Sequence, residues 1–204
     1  MRRPLFIFGA GGLGREILSL VRASSEWEVK GFFDDSKPKN SLVKGIPVLG
    51  GVHDIGAGME IIFAIGDPQV KRMVKNKIKH PFTSPVLIHP SAIIQEAATV
   101  SLGAGTIVCA GVILTCDIHV GDHVLLNLNS TVGHDTRIRE FTSVMPGTNI
   151  AGQVTIGAGV LLGSDCNVRN GVTIADDARI GMGAVVLHDV NKGETVVGVP
   201  GRAR

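Results

Sequence analysis

The sequence predicts a small α/β unit followed by a long parallel β-helix, and three observations predict it. Leu, Ile or Val recurs at every sixth residue from Leu102 to Val186. The opening segment reads as strand, glycine-rich turn, helix and strand. The composition is poor in aromatics, at 4% with no tyrosine, and carries 27 glycines among 204 residues. A core without aromatics must be filled by branched aliphatics.

Residues 4–9 read as a buried strand. Gly9-Ala10-Gly11-Gly12-Leu13-Gly14 then matches G-x-G-x-x-G. An amphipathic helix is expected from Arg15 to about Arg22, with Ile17, Leu18 and Val21 on its apolar side. A second strand, Val29 to Phe33, ends in Asp34-Asp35. These acids lie where a dinucleotide fold places its ribose-binding carboxylate. Another strand, Ile61 to Ile65, ends at Gly66-Asp67, and Pro68 starts a helix that runs to Lys79. Glycine amides at a helix start can hold phosphates; Asp34 or Asp35 can accept from a base or ribose. A tight βα turn without ligand is the competing reading. With three or so strands, the unit is half of a dinucleotide fold. It has room for a mononucleotide and hardly for a nicotinamide half. We place this Rossmann-like unit at 1–84 and the β-helix with its tail at 85–204; Pro81, Pro85 and Pro90 mark the passage.

The period of six suits neither a helix nor a two-faced strand. It suits short strands joined by tight corners, with one aliphatic per strand pointing inward and a small residue such as Gly103, Gly121, Gly133 or Gly163 making the turn. Three hexads make an eighteen-residue triangular coil, and coils stack at about 4.8 Å. Residues 102–191 give five coils, and 90–101 give one more, less regular.

Charge excludes little but is informative. Net charge is +2, too weak and scattered to predict nucleic acid or a membrane surface as partner. No run approaches the ~20 apolar residues of a bilayer span, which predicts a cytoplasmic protein. Cys109, Cys116 and Cys166 form no CxxC pair and read as small buried hydrophobes. His119 and His123 fall four apart, but no third imidazole completes a catalytic zinc set, so no metal is expected.

His134 stands out. It is third in its hexad, so its ring projects outside the prism, and Asp135 follows it. A carboxylate could orient the imidazole, although neighbours in a strand point to opposite faces, so either their pairing needs a corner or the carboxylate comes from elsewhere. Gly152 lies one coil along and offers a bare amide to a thioester-derived oxyanion. Pro146, Ser164 and Met182 form another column one coil apart. A solvated surface histidine is the bland alternative.

The strand-end motifs, Ala64-Ile65-Gly66, Gly133-His134-Asp135, Ala151-Gly152 and Val197-Gly198-Val199-Pro200 together resemble the hexapeptide-repeat acetyltransferases of bacterial glycan biosynthesis that O-acetylate sialic acid or N-acetylate nucleotide-linked amino sugars. The resemblance runs nearly end to end and implies a left-handed helix and a homotrimer with acetyl-CoA, as co-substrate, in the groove between two prisms. It implies His134 as general base with Asp135 enhancing it. The nucleotide sugar falls on Gly11, Gly12, Leu13, Asp34, Asp35 and Gly66, its amine near Asn127, and CoA on Ser143, Gly152, Ser164 and Met182. Departures are Ser143, where many relatives have a second histidine that meets the acetyl carbonyl; Leu13, where some have histidine; and the bulk of Met182. N-acetylation of a nucleotide-linked amino sugar is the leading expectation. O-acetylation of a sugar hydroxyl and a non-catalytic nucleotide-binding module stay open.

Overall fold

The computed structural model describes residues 2–204. Its first unit comprises β1 (Arg3–Phe8), α1 (Gly12–Ala23), β2 (Trp27–Phe33), β3 (Leu42–Val43), β4 (Ile46–Gly50), β5 (Met59–Phe63), α2 (Pro68–Lys77) and β6 (Phe82–Thr83). The sheet order is β3-β4-β2-β1-β5-β6, parallel except for the β3–β4 hairpin. The central strands β1, β2 and β5 are those read from the sequence: β1 and β5 as short apolar runs, and β2 as an alternation of buried Trp27 and Val29 with exposed Glu28 and Lys30 that closes on buried Phe32 and Phe33. The sequence reading counted three or so strands and missed β3, β4 and β6, which at two to five residues are too short to leave a periodic signal. Helix α1 begins at Gly12, ahead of the expected Arg15. Packing decides this, since Gly14 sits directly on the Gly9 carbonyl and the Phe32 ring.

The second unit is a triangular prism of parallel strands. Its first face carries the strand pairs at 107–108, 125–126, 143–144, 161–162 and 179–180. The second carries 113–114, 131–132, 149–150, 167–168 and 185–186. The third carries 118–120, 137–138, 155–156 and 173–174. Each strand pairs with the residue eighteen positions on, as in Leu126 with Val144 and Val132 with Ile150. The hexad aliphatics fill the interior: from Val108 to Val186 none exceeds 4% exposure. The preceding coil is less regular because it is two residues longer: Ile88 pairs with Val108 but Leu102 with Val120. At the far end Arg202–Ala203 folds back antiparallel on Thr195–Val197.

The corners differ from expectation in one respect. The left-handed residue is the fourth of each hexad, as at Asp117, His123, Asn129, Asp135, Gly147 and Gly159. The small second residue is required by close approach of the next coil. A Cβ on Gly133 would stand 2.6 Å from the Gly152 nitrogen, and one on Gly163 2.6 Å from the Met182 nitrogen. Buried threonines brace the same corners: Thr142 Oγ1 donates to the Gly157 carbonyl at 2.8 Å and Thr148 Oγ1 to that of Gly163 at 3.0 Å.

The first unit sits against the first face. Arg179 donates to Asp67 at 2.9 Å, Gln69 to Asp177 at 2.6 Å, and the His123 ring is held between Phe63 and Phe141. Lys71, 2% exposed, donates from Nζ to the His123 carbonyl at 2.8 Å and to Ser143 Oγ at 3.2 Å.

Candidate functional site

His134 and Asp135 occupy the corner between the second and third faces. Asp135 has φ +59°, and this left-handed residue turns two consecutive side chains toward each other. His134 Nδ1 and Asp135 Oδ2 are 2.7 Å apart, with both side chains more than half exposed. An ionised carboxylate only accepts, so the shared proton belongs to Nδ1 and the Nε2 lone pair is left for a substrate. The ring lies over the next coil: a Cβ on Gly152 would be 2.5 Å from Nε2. The glycine therefore provides the space the imidazole occupies.

Gly152 also presents its amide. Where an aspartate stands one coil on, it caps the N–H of the third hexad residue: Ala104 N donates to Asp122 at 2.9 Å and Ala158 N to Asp176 at 2.8 Å. The position one coil beyond Gly152 is Asn170. Among the described residues the Gly152 N–H has no acceptor. A general base with an oriented proton and an open N–H thus adjoin at one corner, as removal of a proton and stabilisation of a nearby oxyanion require.

The other expected residues lie elsewhere. Asn127, Ser164 and Met182 are on the corner between the first and second faces, at the opposite edge of the second face from His134. Met182 is 81% exposed; Asn127 is 3% exposed, with Oδ1 accepting from Leu128 N at 2.8 Å. Ser143 is fully enclosed on the first face, and its hydroxyl accepts from Lys71. In this arrangement it is withdrawn from any acetyl group, because α2 covers the face from which it projects. Sequence reasoning missed Lys71, though its spacing from Asp67 and Val74 puts it on the inner side of α2.

In the first unit the glycine motif divides by role. Gly9 has φ +103°, and a Cβ on it would stand 2.6 Å from the Ala64 carbonyl oxygen. Gly11 and Gly12 face open space. The first turn of α1 carries no acidic residue and no side-chain cap, so its N–H groups are available to an anion. Leu13 packs partly onto the core, and Gly66 sits 4.0 Å, measured from an added Cβ, from the Met145 methyl. Asp34 is engaged by the fold itself. Oδ2 accepts from Ala10 N at 2.7 Å and Oδ1 from both groups of Ser36. Burial would raise its carboxyl, but these hydrogen bonds prevail and hold it below the ordinary value. Asp35 Oδ1 accepts from Val52 N at 2.7 Å, leaving Oδ2 toward solvent. Asp34 therefore fixes the glycine turn, and Asp35 keeps the freer carboxylate oxygen.

Between α1 and the corner that bears Asn127 lies a cavity of about 230 Å³, lined by Glu16, Ser19, Leu20, His89, Asn127 and Leu128 among others. No motif pointed to it, since its two walls lie about 70 to 110 residues apart in the chain. The cysteines take no evident part: burial pushes Cys109 up to about 12 and Cys166 up to about 11, far from a thiolate nucleophile. Among the described residues no three His, Cys, Asp or Glu side chains are grouped to hold a metal, and no helix is long and apolar enough to cross a membrane.

Comparison with known proteins places these features in context. Residues 4–78 match the PglD N-terminal domain model, and residues 153–188 match the bacterial transferase hexapeptide model of six repeats. The chain is 30% identical over 166 residues to GDP-perosamine N-acetyltransferase of Escherichia coli O157:H7, covering 78% of this chain and 74% of that protein. The fold superposes on the acetyltransferase domain of PglB from Neisseria gonorrhoeae FA1090 in complex with acetyl coenzyme A, with TM-score 0.90, 28% identity and full coverage of both chains. It also superposes on PerB from Caulobacter crescentus in complex with CoA and GDP-perosamine, with TM-score 0.88, 30% identity and coverage of 99% and 97%.

Proposed function

Since this chain belongs to the hexapeptide-repeat acetyltransferases that act on nucleotide-linked amino sugars, we propose that it transfers acetyl directly from acetyl-CoA to the amine of such a sugar, with His134 as general base. It is an acetyltransferase and acetyl-CoA is its co-substrate. The single observation that carries the mechanism is the His134–Asp135 pair above the uncapped Gly152 amide. The amine nitrogen attacks the thioester carbonyl while Nε2 of His134 takes its proton. The Gly152 N–H donates to the oxyanion, the C–S bond breaks, and CoA leaves as the thiol once protonated. Asp135 holds the Nδ1 proton and keeps Nε2 directed outward.

The nucleotide diphosphate rests on the open amides of Gly11 and Gly12 at the start of α1, with Leu13 and Gly66 beside it and Asp35 toward the ribose or base. CoA runs along the corner that bears Ser164 and Met182. These residues and His134 stand on opposite edges of the second face, so one chain cannot bring them together. Copies that turn this face toward a common axis do. A homotrimer is the assembly we propose, each site taking His134 and Gly152 from one chain and Asn127, Ser164, Met182 and the nucleotide unit from the next.

N-acetylation is favoured over O-acetylation because the curated relative and PerB's bound sugar both belong to amino-sugar chemistry. The test is thiol release from acetyl-CoA with a panel of UDP-, GDP-, dTDP- and CMP-linked amino sugars, GDP first. His134→Ala is expected to keep its fold and lose kcat by roughly 10²–10⁴-fold, the usual worth of a positioned general base. A folded, fully active variant would end this mechanism.

A further inference from the structure

The cavity between α1 and the prism adjoins Asn127 and holds three further polar groups, Glu16, Ser19 and His89, to which the mechanism above gives no part. Glu16 and Ser19 project from α1, and His89 and Asn127 from the opposite wall; Leu20 and Leu128 supply apolar surface. Two of the four polar side chains are partly committed. His89 Nδ1 is 2.8 Å from Ser91 Oγ, and Asn127 Oδ1 accepts from Leu128 N. The other His89 ring nitrogen and the Asn127 amide NH₂ have no partner among the described residues. The Glu16 carboxylate makes no hydrogen bond or ion pair among the described residues, so all its acceptor capacity is free.

The position along α1 is informative. Glu16 is the fifth residue of a helix that begins at Gly12, about one turn beyond the open amides. A group carried by a diphosphate on those amides is therefore within reach of Glu16. The volume of about 230 Å³ suits a single sugar ring and not a second nucleotide. The walls pair apolar surface with a few converging polar groups, as sugar and small-molecule sites do.

We infer that Glu16 is a specificity-determining residue, whose carboxylate accepts a hydrogen bond from a ring hydroxyl of the bound sugar and so selects hydroxylated amino sugars over their deoxy counterparts. The inference rests on the proposed nucleotide-sugar acetylation. The partner of Glu16 is a hydroxyl and not the reacting amine for a chemical reason. A carboxylate on the amine would hold it as ammonium, with no lone pair for the thioester. The amine must instead leave this wall and meet His134.

The experiment compares wild type, Glu16→Ala and Glu16→Gln on pairs of nucleotide amino sugars that differ by one ring hydroxyl. Glu16→Ala is expected to raise KM for the hydroxylated sugar by roughly 10- to 100-fold, the worth of a charged hydrogen bond to a ligand. It also removes the preference over the deoxy sugar. Glu16→Gln, which keeps one acceptor oxygen, recovers part of both. KM for acetyl-CoA and inhibition by the free nucleoside diphosphate stay at wild-type values. Glu16 is exposed, so the variants fold, which thermal unfolding checks. If wild type acetylates a nucleotide amino sugar and Glu16→Ala keeps its KM and preference, this inference alone is overturned. If wild type acetylates none, the underlying function falls and this inference with it.

Discussion

Gly152 illustrates how much one missing side chain can carry. Its backbone is not in the left-handed region, so alanine is conformationally acceptable there. The obstacle is the neighbour: an added Cβ would come within 2.5 to 2.8 Å of three atoms of the His134 ring. That ring is exposed, so it can swing away without harm to the core. Gly152→Ala is therefore expected to retain wild-type thermal stability and acetyl-CoA binding while kcat falls about 10²-fold, the scale set by a misplacement of an ångström. Unchanged turnover would mean that the position of the imidazole over this coil has no catalytic meaning. The candidate base was legible in the sequence because His134 falls at an outward position between a corner glycine and Asp135, in a Gly-His-Asp run that the family resemblance singles out. The pairing with Asp135 was not, because alternation along a strand argues against it; only the left-handed φ at the fourth hexad position reconciles the two.

Helix α2 joins the two units through a lysine that has left water. Burial pushes Lys71 down to about 7, against the pull of Asp67. Around it stand the Asp67–Arg179 pair and the His123 ring, itself lowered to about 4 by burial and by Lys75. The unfolded chain keeps its lysine proton up to the ordinary 10.5, and the native state releases it above about 7. The unfolded state thus binds more protons in that window, so stability rises with pH between the two values and is flat in this respect below them. Denaturation midpoints of Lys71→Met are expected to lack this rise. Parallel pH profiles for variant and wild type would show that Lys71 does not carry it. The prism was legible almost residue by residue, since fifteen aliphatics at a fixed spacing leave one architecture. The short strands β3, β4 and β6 were not, and neither was the enclosure of Ser143. That enclosure depends on α2, more than 60 residues earlier, lying across its face.

At the scale of the whole molecule, the expected site is divided between two edges of one prism face. Sedimentation should therefore give three times the 21.4 kDa chain mass at micromolar concentration. Subunit mixing tests the division directly. His134→Ala removes the base, and Gly12→Asp sets a carboxylate where phosphates would bind, at a position facing open space. Each variant should be inactive alone, and co-assembled trimers should regain part of the activity, because some interfaces join an intact histidine to an intact nucleotide unit. No recovery would place the whole site within one chain. The eighteen-residue coil has a further consequence, which is that the prism behaves as a screw thread. Removing one full coil after His134 shifts everything beyond it by a single rung, about 4.8 Å, without turning it, and brings Asn170 beneath the imidazole. Removing one hexad keeps every aliphatic inward but rotates the remainder by one face. Ala158 then lies under His134, with a methyl group where the ring now rests. Length change in this chain is thus quantised: deletions of eighteen keep every later residue on its own face, deletions of six or twelve do not, and any of them placed directly after His134 sets a side chain where Gly152 now leaves room for the ring.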